Sequence, residues 1–488
     1  MRVTSKMMTT NMLANINRNK LNVSDKADQY STQQKIQRPS QDPVIAVRSL
    51  KFRTMSTEIS QYVDKNIPDA LSWMEQTESA LDSVNSVLTT MKEYFNKGAN
   101  DTLEVSDRDA LVQTLTQYKE QIYQCLNADN AGRYLFTGYR TDTSYLYEVD
   151  DSSQQYDIKE NVSPSSLKAF TYVTGGPSYA AGSTAANYIQ AAAVKNTGYK
   201  MTLSYGDLDN VSKISYTNGT TETDLKIANI DADDPNAYDI KAYNDKHGTN
   251  YDALVIKGTG EVILSTDSYE KLSKADKINT QYQKTSFDKG DVRPEHLFDC
   301  TAGGKTYTAP TQQNIEYEVN FSQKITVNTM GNQVMDASLI NQIDDVMNQI
   351  SKVQEVEKKL ADIESMISTG NYTGSADDMA ALKEQVTNEL TLQKSVLQEK
   401  FGNGLTTIKN VQASVTKANA DLGSRYQRLQ LTQARLEDQQ TNVSEMITKN
   451  DTVDIEDAVI NYTSAITAYN ASLNAASKIV QNSLLDFL

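Results

Sequence analysis

Residues 127–142 read NADNAGRYLFTGYRTD. A run with helical apolar spacing (Leu111, Leu115, Tyr118, Ile122, Cys125) comes before them. Gly132 and Gly138 then bracket Arg133-Tyr134-Leu135-Phe136-Thr137, and Tyr139 follows. This spacing predicts that the helix ends at Asn127–Asn130, with Gly132 taking the left-handed cap. Tyr134 and Phe136, two apart, belong on one face of a short strand. Their rings should cover the end of the helical pair, and Gly138 permits the next sharp turn.

Outward from this point the chain divides by periodicity. Upstream, Leu13, Ile16, Lys20, Val23, Ala27 and Tyr30 follow the three-four spacing of a coiled coil, and RPSQDPV (38–44) breaks it. Phe52, Met55, Ile59 and Tyr62 resume the pattern, and beyond Pro68 a stronger seam runs from Trp73 to Tyr94. Residues 145–330 lose helical periodicity, gain Gly, Asp, Asn, Thr and Tyr, and carry short alternating runs such as Ile315, Tyr317, Val319, Phe321. Helices return at 336–368 and 376–400. From Ile408 an almost unbroken seam reaches Met446, and Val459, Tyr462, Ile466, Tyr469, Leu473 and Val480 continue it after a break at Asn450-Asp451. The fold class is therefore mainly α with an inserted β-rich domain. The N- and C-terminal segments form a nested antiparallel helical bundle or coiled coil. We divide it into a terminal coiled-coil domain (1–62 with 441–488), a helical bundle domain (63–145 with 330–440) and an exposed β-rich insert (146–329).

Composition narrows the function. The net charge of −16 argues against nucleic-acid binding, which needs clustered cations against phosphate. No apolar run approaches the ~20 residues of a membrane-spanning helix, so no membrane insertion is expected. The start, MRVTSKMMTTNML, lacks the apolar core of a cleaved signal peptide. With two histidines and two cysteines in 488 residues, the usual catalytic and metal-ligating side chains are scarce. His247 lies in a turn. His296, Asp299 and Cys300 lack a third soft ligand at useful spacing, and Cys125 reads as a small buried hydrophobe. Asp231, Asp233 and Asp234 form an acidic turn without the glycine and final glutamate of a calcium loop. Gly258-Thr-Gly260 lacks a third glycine and a following helix. We expect no cofactor, no metal and no catalytic site.

The two ends carry opposite charge: about +7 over residues 1–53 and −4 over 441–488. Ordering these roughly hundred residues costs about 1–2 kcal/mol each, and about fifteen apolar side chains return roughly 1.5–3 kcal/mol apiece. Such a pair is marginal alone. The expectation is that both ends are disordered in the monomer and fold on assembly, along a seam of Leu13, Ile16, Val23, Tyr30, Val459, Tyr462, Ile466, Tyr469, Leu473, Val480, Leu484, Leu485, Phe487 and Leu488.

The opening stretch resembles the motif that closes the first helical hairpin of FlgL-type proteins, the flagellin-like hook-associated proteins of the bacterial hook–filament junction. The matching positions are Asn127, Gly132, Arg133, Tyr134, Phe136, Gly138 and Tyr139. Pro39-Ser40-Gln41-Asp42-Pro43 resembles that family's Pro-Ser-Asp-Asp-Pro. Gln33 stands where its glycine is expected, Leu422-Gly423-Ser424-Arg425 resembles its Leu/Val-Gly-Ala-Arg, and Ser483–Leu488 resembles the flagellin-type tail. The resemblance implies a secreted structural molecule of motility, not an enzyme. It would leave the cell through the flagellar type III export apparatus without a cleaved signal peptide, would reside extracellularly in the flagellum and would template flagellin polymerisation. The implied partners are further copies of itself in a helical ring, the first hook-associated protein, flagellin and a flagellar export chaperone. A filament flagellin or flagellin paralogue is the alternative, and a surface adhesin using the insert is a further one.

Overall fold

A computed structural model of the chain describes residues 5–99, 105–177, 192–232, 234, 236–335 and 337–485. Its elements fall into two units. The first comprises Met1–Ala70, Tyr317–Ile325 and Gln427–Leu488; the second comprises Leu71–Glu316 and Thr326–Tyr426.

In the first unit, α1 (Ser5–Thr32) packs along α10 (Ile455–Leu485). Helix α2 (Pro43–Gln61) begins where RPSQDPV breaks α1. The Asp42 carboxylate accepts from the Val44 and Ile45 amides, and Pro43, which has no N–H to leave unsatisfied, takes the first turn. The sequence pattern stopped this helix before Pro68, yet the chain passes into α3 (Ile67–Gly98) through a π turn at Tyr62–Asn66. There the Ile67 amide reaches back to the Tyr62 carbonyl, and Pro68 falls within the first turn that follows. The π turn also presents side chains to the hairpin of β14 (Glu316–Asn320) and β15 (Gln323–Thr326). Tyr62 meets Phe321 edge-on at 5.6 Å, and Asn66 donates to the Glu318 carbonyl at 2.8 Å. The sequence pattern places this hairpin at the end of the insert, whereas Tyr317–Ile325 belong to the same unit as the terminal helices.

The second unit holds α4 (Val105–Leu126), α8 (Ser338–Thr369), α3 from Leu71 and the part of α9 (Ala376–Asp451) that ends at Tyr426. Its helical core includes Trp73, Leu81, Leu88, Leu115, Ile343, Ile350, Leu397 and Ile408. The sequence pattern places one helix at 376–400 and a separate seam from Ile408; the helix is instead continuous for 76 residues. The glycines serve packing. Phe401 lies over Gly98, Phe95 lies over Gly404, and a Cβ at either glycine would run into the facing ring. The two rings meet edge-on at 5.4 Å.

Among the described residues the β-rich part of this unit has a five-stranded and a six-stranded sheet, beside the two-stranded hairpin of β1 and β2. The strands are β1 (Asp129–Asn130), β2 (Arg133–Tyr134), β3 (Tyr156–Val162), β4 (Lys168–Thr174), β5 (Val194–Thr202), β6 (Asn210–Asn218), β7 (Thr221–Asp224), β8 (Ile227–Ile230), β9 (Ala253–Ile256), β10 (Glu261–Leu264), β11 (Lys277–Lys284), β12 (Asp299–Ala302) and β13 (Lys305–Tyr307). One sheet has the order β4-β5-β10-β9-β8 and the other β13-β12-β3-β11-β6-β7, with β8 and β9 parallel. The alternation of β3 and β11 buries Ile158, Val162, Ile278 and Tyr282, with Met201, Val255 and Val262 of the other sheet in the same core. Short helices α5 (Ile240–His247), α6 (Thr266–Ser273) and α7 (Gly331–Val334) complete the unit.

Where β5 meets α8 and α9 the interface is polar. Asp345 accepts from Lys200 at 3.2 Å and Lys400 at 2.6 Å, and Lys200 also pairs with Glu261. Clefts of about 740 Å³ and 620 Å³ flank this cluster, so charge rather than apolar contact carries the docking here. Burial pushes the Asp345 carboxyl up, but the two ammoniums outweigh it and hold the group below the usual carboxylate range. A carboxylate depressed on folding stabilises the protein above its unfolded pKa of about 4 and loses that contribution as pH falls below it. Asp345→Asn is expected to cost about 3 kcal/mol at neutral pH, with the gap from the native chain closing below pH ~4. Urea denaturation of both proteins across pH measures this.

Candidate assembly interface

The histidines, cysteines and acidic turn that the sequence singles out occupy the following settings. His296 is buried beneath Ser144, whose carbonyl lies 3.1 Å from Nε2, and burial holds the imidazole down at about 4. Burial likewise pushes the Cys300 thiol up to about 12, which removes it as a nucleophile at neutral pH. Cys125 is half-buried, with its thiol also raised by burial. His247 ends α5 with Nδ1 3.0 Å from the Tyr243 carbonyl. Asp234 caps its own turn by accepting from the Asn236 amide, Asp231 pairs with Lys257, and Asp233 lies outside the described residues. Among the described residues no group of three His, Cys, Asp or Glu could hold a metal, and no helix is long and apolar enough to cross a membrane.

The motif positions from Asn127 to Tyr139, and Gly423 and Arg425, lie in the second unit. Asn127 clamps the backbone of Leu146, accepting from its amide at 2.9 Å and donating to its carbonyl at 3.3 Å. Gly132 does not cap α4. With Ala131 it forms the two-residue turn of the β1–β2 hairpin, at φ of 78° and 53°. Arg133 lies over the Trp73 ring at 5.0 Å. Phe136 is buried and its carbonyl accepts from Gly331, whereas Tyr134 is only half-buried and donates to Glu148. The Gly138 amide region approaches Gln313, whose Oε1 accepts from Tyr139, so a side chain at 138 would strike that group. Tyr139 itself is exposed. Arg425 donates to the carbonyls of Thr326 and Asn328, both at 3.0 Å. Gly423 has open space around it, so no contact demands glycine there.

In the first unit, a corner joins the two chain ends. The Lys35 amide donates to the Asp451 carbonyl at 2.8 Å and the Val453 amide to the Gln33 carbonyl at 2.9 Å. Gln33 adopts φ of 57°. Glycine would take this conformation without cost, and here a side chain bears it. Pro39 and Ser40 are exposed in the connecting turn, where Gln41 accepts from the Gln37 and Arg38 amides. Asp451 accepts from Arg53 at 2.8 Å and Ser49 at 2.9 Å. Burial opposes its ionisation, but these bonds hold its pKa below the ordinary value.

The predicted seam divides between two faces. Ile16 and Val23 are half-buried along α1 with Met12, Asn19 and Lys26, the three-four spacing one step from the predicted register. Tyr462, Ile466 and Tyr469 are half-buried on α10, beside buried Ala458 and Ala465. Tyr30 stacks on Tyr462 at 5.9 Å with its outer edge exposed. Leu13, Val459 and Leu473 face outward, as do Met7, Leu21, Val44, Val47, Leu50, Leu431 and Ile460. The side chains of Val480, Leu484 and Leu485 and the whole of Phe487 and Leu488 lie outside the described residues. Scattered apolar exposure is ordinary; here most of the exposed large hydrophobics among the described residues fall in this one unit. Met7, Leu21, Val44, Val47, Leu50, Leu431 and Ile460 lie outside the predicted seam, because a two-helix pair buries only one stripe per helix and the sequence pattern does not say which of two adjacent apolar stripes that is.

The bacterial flagellin N-terminal helical region matches residues 3–141, and its C-terminal helical region matches residues 405–488. Flagellar hook-associated protein 3 of Salmonella typhimurium is 28% identical over 145 residues, 30% of this chain and 45% of that protein. A flagellin of Clostridium tyrobutyricum is 28% identical over 173 residues, 35% of this chain and 45% of that one. The chain spans about half the length of the curated relatives it matches. Xanthomonas campestris FlgL is 12% identical, with 80% of this chain and 97% of that one aligned at a TM-score of 0.33.

Proposed function

We propose that this chain, a flagellin-related protein similar to hook-associated protein 3, is a structural subunit of the bacterial flagellum that forms the hook–filament junction. The observation that carries the proposal is the pairing of the two flagellin-type ends in one unit whose outward face is apolar. Leu13, Tyr30, Val459 and Leu473 then meet neighbouring subunits, while Ile16, Val23, Tyr462, Ile466 and Tyr469 hold each subunit's own helical pair. The ends gain their full order on assembly. The role is mechanical rather than catalytic, in keeping with the inert settings of His296 and Cys300. The first hook-associated protein lies beneath the ring, flagellin is templated above it, and the subunit reaches its place by chaperoned type III export. Gold-labelled antibody against the insert should mark one band at the junction. Label along the whole filament would favour the second reading, a filament flagellin, which the likeness to the clostridial flagellin supports.

A further inference from the structure

Helix α2 carries an unpartnered face. Val44, Val47 and Met55 are 59%, 53% and 40% exposed, and with Lys51 they fall at i, i+3, i+7 and i+11, one stripe of the helix. Arg48, at i+4, flanks it. Neither Arg48 nor Lys51 has an ion-pair partner within the chain among the described residues, unlike Arg53, which is tied to Asp451. The start of α10 carries the opposite character. Ile455, Val459 and Ile460 are 53%, 40% and 62% exposed. Glu456 and Asp457 lie in the same first turn, also unpaired in the chain among the described residues.

We propose that the basic apolar stripe of α2 docks on the acidic apolar start of α10 in a neighbouring copy of the same chain. This deepens the reading of the protein as a self-assembling subunit and rests on it. The two faces differ, so the contact is heterologous, and repetition of it generates a ring or helix rather than a closed dimer. Charge complementarity fixes the register, and the flanking apolar side chains supply the buried area. Both carboxylates also sit at the positive end of the α10 helix dipole, so an arriving cation meets side chains held in place by their own helix.

The test uses the full chain and sedimentation velocity over a range of concentration and salt. R48E/K51E and E456K/D457K are each expected to weaken self-association by roughly tenfold or more, through like-charge repulsion. An equimolar mixture of the two variants is expected to regain native association, because each reversed face meets its reversed partner on the other variant. Native association should also weaken with salt. Circular dichroism of each variant controls for folding, and the mixture is a second control, since misfolded chains do not rescue one another. A mixture no better than its components overturns the pairing and leaves the junction reading intact. A native chain that stays monomeric at all concentrations also overturns it, whereas mislocalisation of the protein in flagella would sink the junction reading instead.

Discussion

A chain that ends at Asp454 is expected to be exported and to fold its second unit normally, yet to be absent from flagella. Removing α10 takes away the partner of α1, leaving Met12, Ile16 and Val23 without cover. It also removes Tyr462 from the Tyr30 stack and the outward residues Val459, Ile460 and Leu473. The core around Trp73, Phe95 and Phe401 lies wholly in the other unit and loses nothing. Each lost 1.4 kcal/mol of contact lowers occupancy about tenfold, so deleting a whole helix should bring incorporation below detection. The measurement compares the variant in culture medium with the variant in sheared flagella. Normal incorporation would contradict the assigned role of the terminal pair.

The second large effect concerns stability. Phe401→Ala is expected to destabilise the helical unit by about 3–5 kcal/mol. The ring is fully buried, fills the space above Gly98 and packs edge-on against Phe95. Collapse into the vacated space is opposed, because Phe95 continues to hold the helices apart over Gly404. Gly98→Val should be comparably harmful for the opposite reason, since its side chain would enter the Phe401 ring. Urea denaturation followed by circular dichroism reads both. A loss under about 1 kcal/mol for Phe401→Ala would show that the site relaxes and that the Phe–Gly exchange is not a fixed element of the bundle.

That exchange illustrates what the sequence did and did not disclose. The long seams were legible because three-four spacing sets which side chains share a face, and Leu111, Leu115 and Ile122 are buried as that spacing demands. Alternation in the same way marked β14, whereas β9 and β10 are buried at every position and so carry no two-residue period. Glycine and proline misled where their use was tertiary. Gly402 and Gly404 fall in the gap between two predicted helical stretches, but Gly404 lies within one helix and makes room for a ring supplied 309 positions earlier. Pro68 looked like a stop, but a π turn carries the helix past it. Gly132 looked like a helix cap, because Ala131 is an unusual companion in a turn that needs positive φ twice. Along the terminal helices, the apolar residues were visible and their division into inner and outer stripes was not. Leu13 and Met12 are adjacent apolar residues, and only the position of α10 decides which of them is covered.

The central claim is position in the flagellum, and quantitative mass spectrometry of sheared, purified flagella tests it most directly. Copies of this chain are counted against the major flagellin in filaments of different mean length. A junction subunit is present at a small number per flagellum that stays constant as filaments lengthen. A count that rises in proportion to flagellin would contradict the account and make the chain a filament subunit.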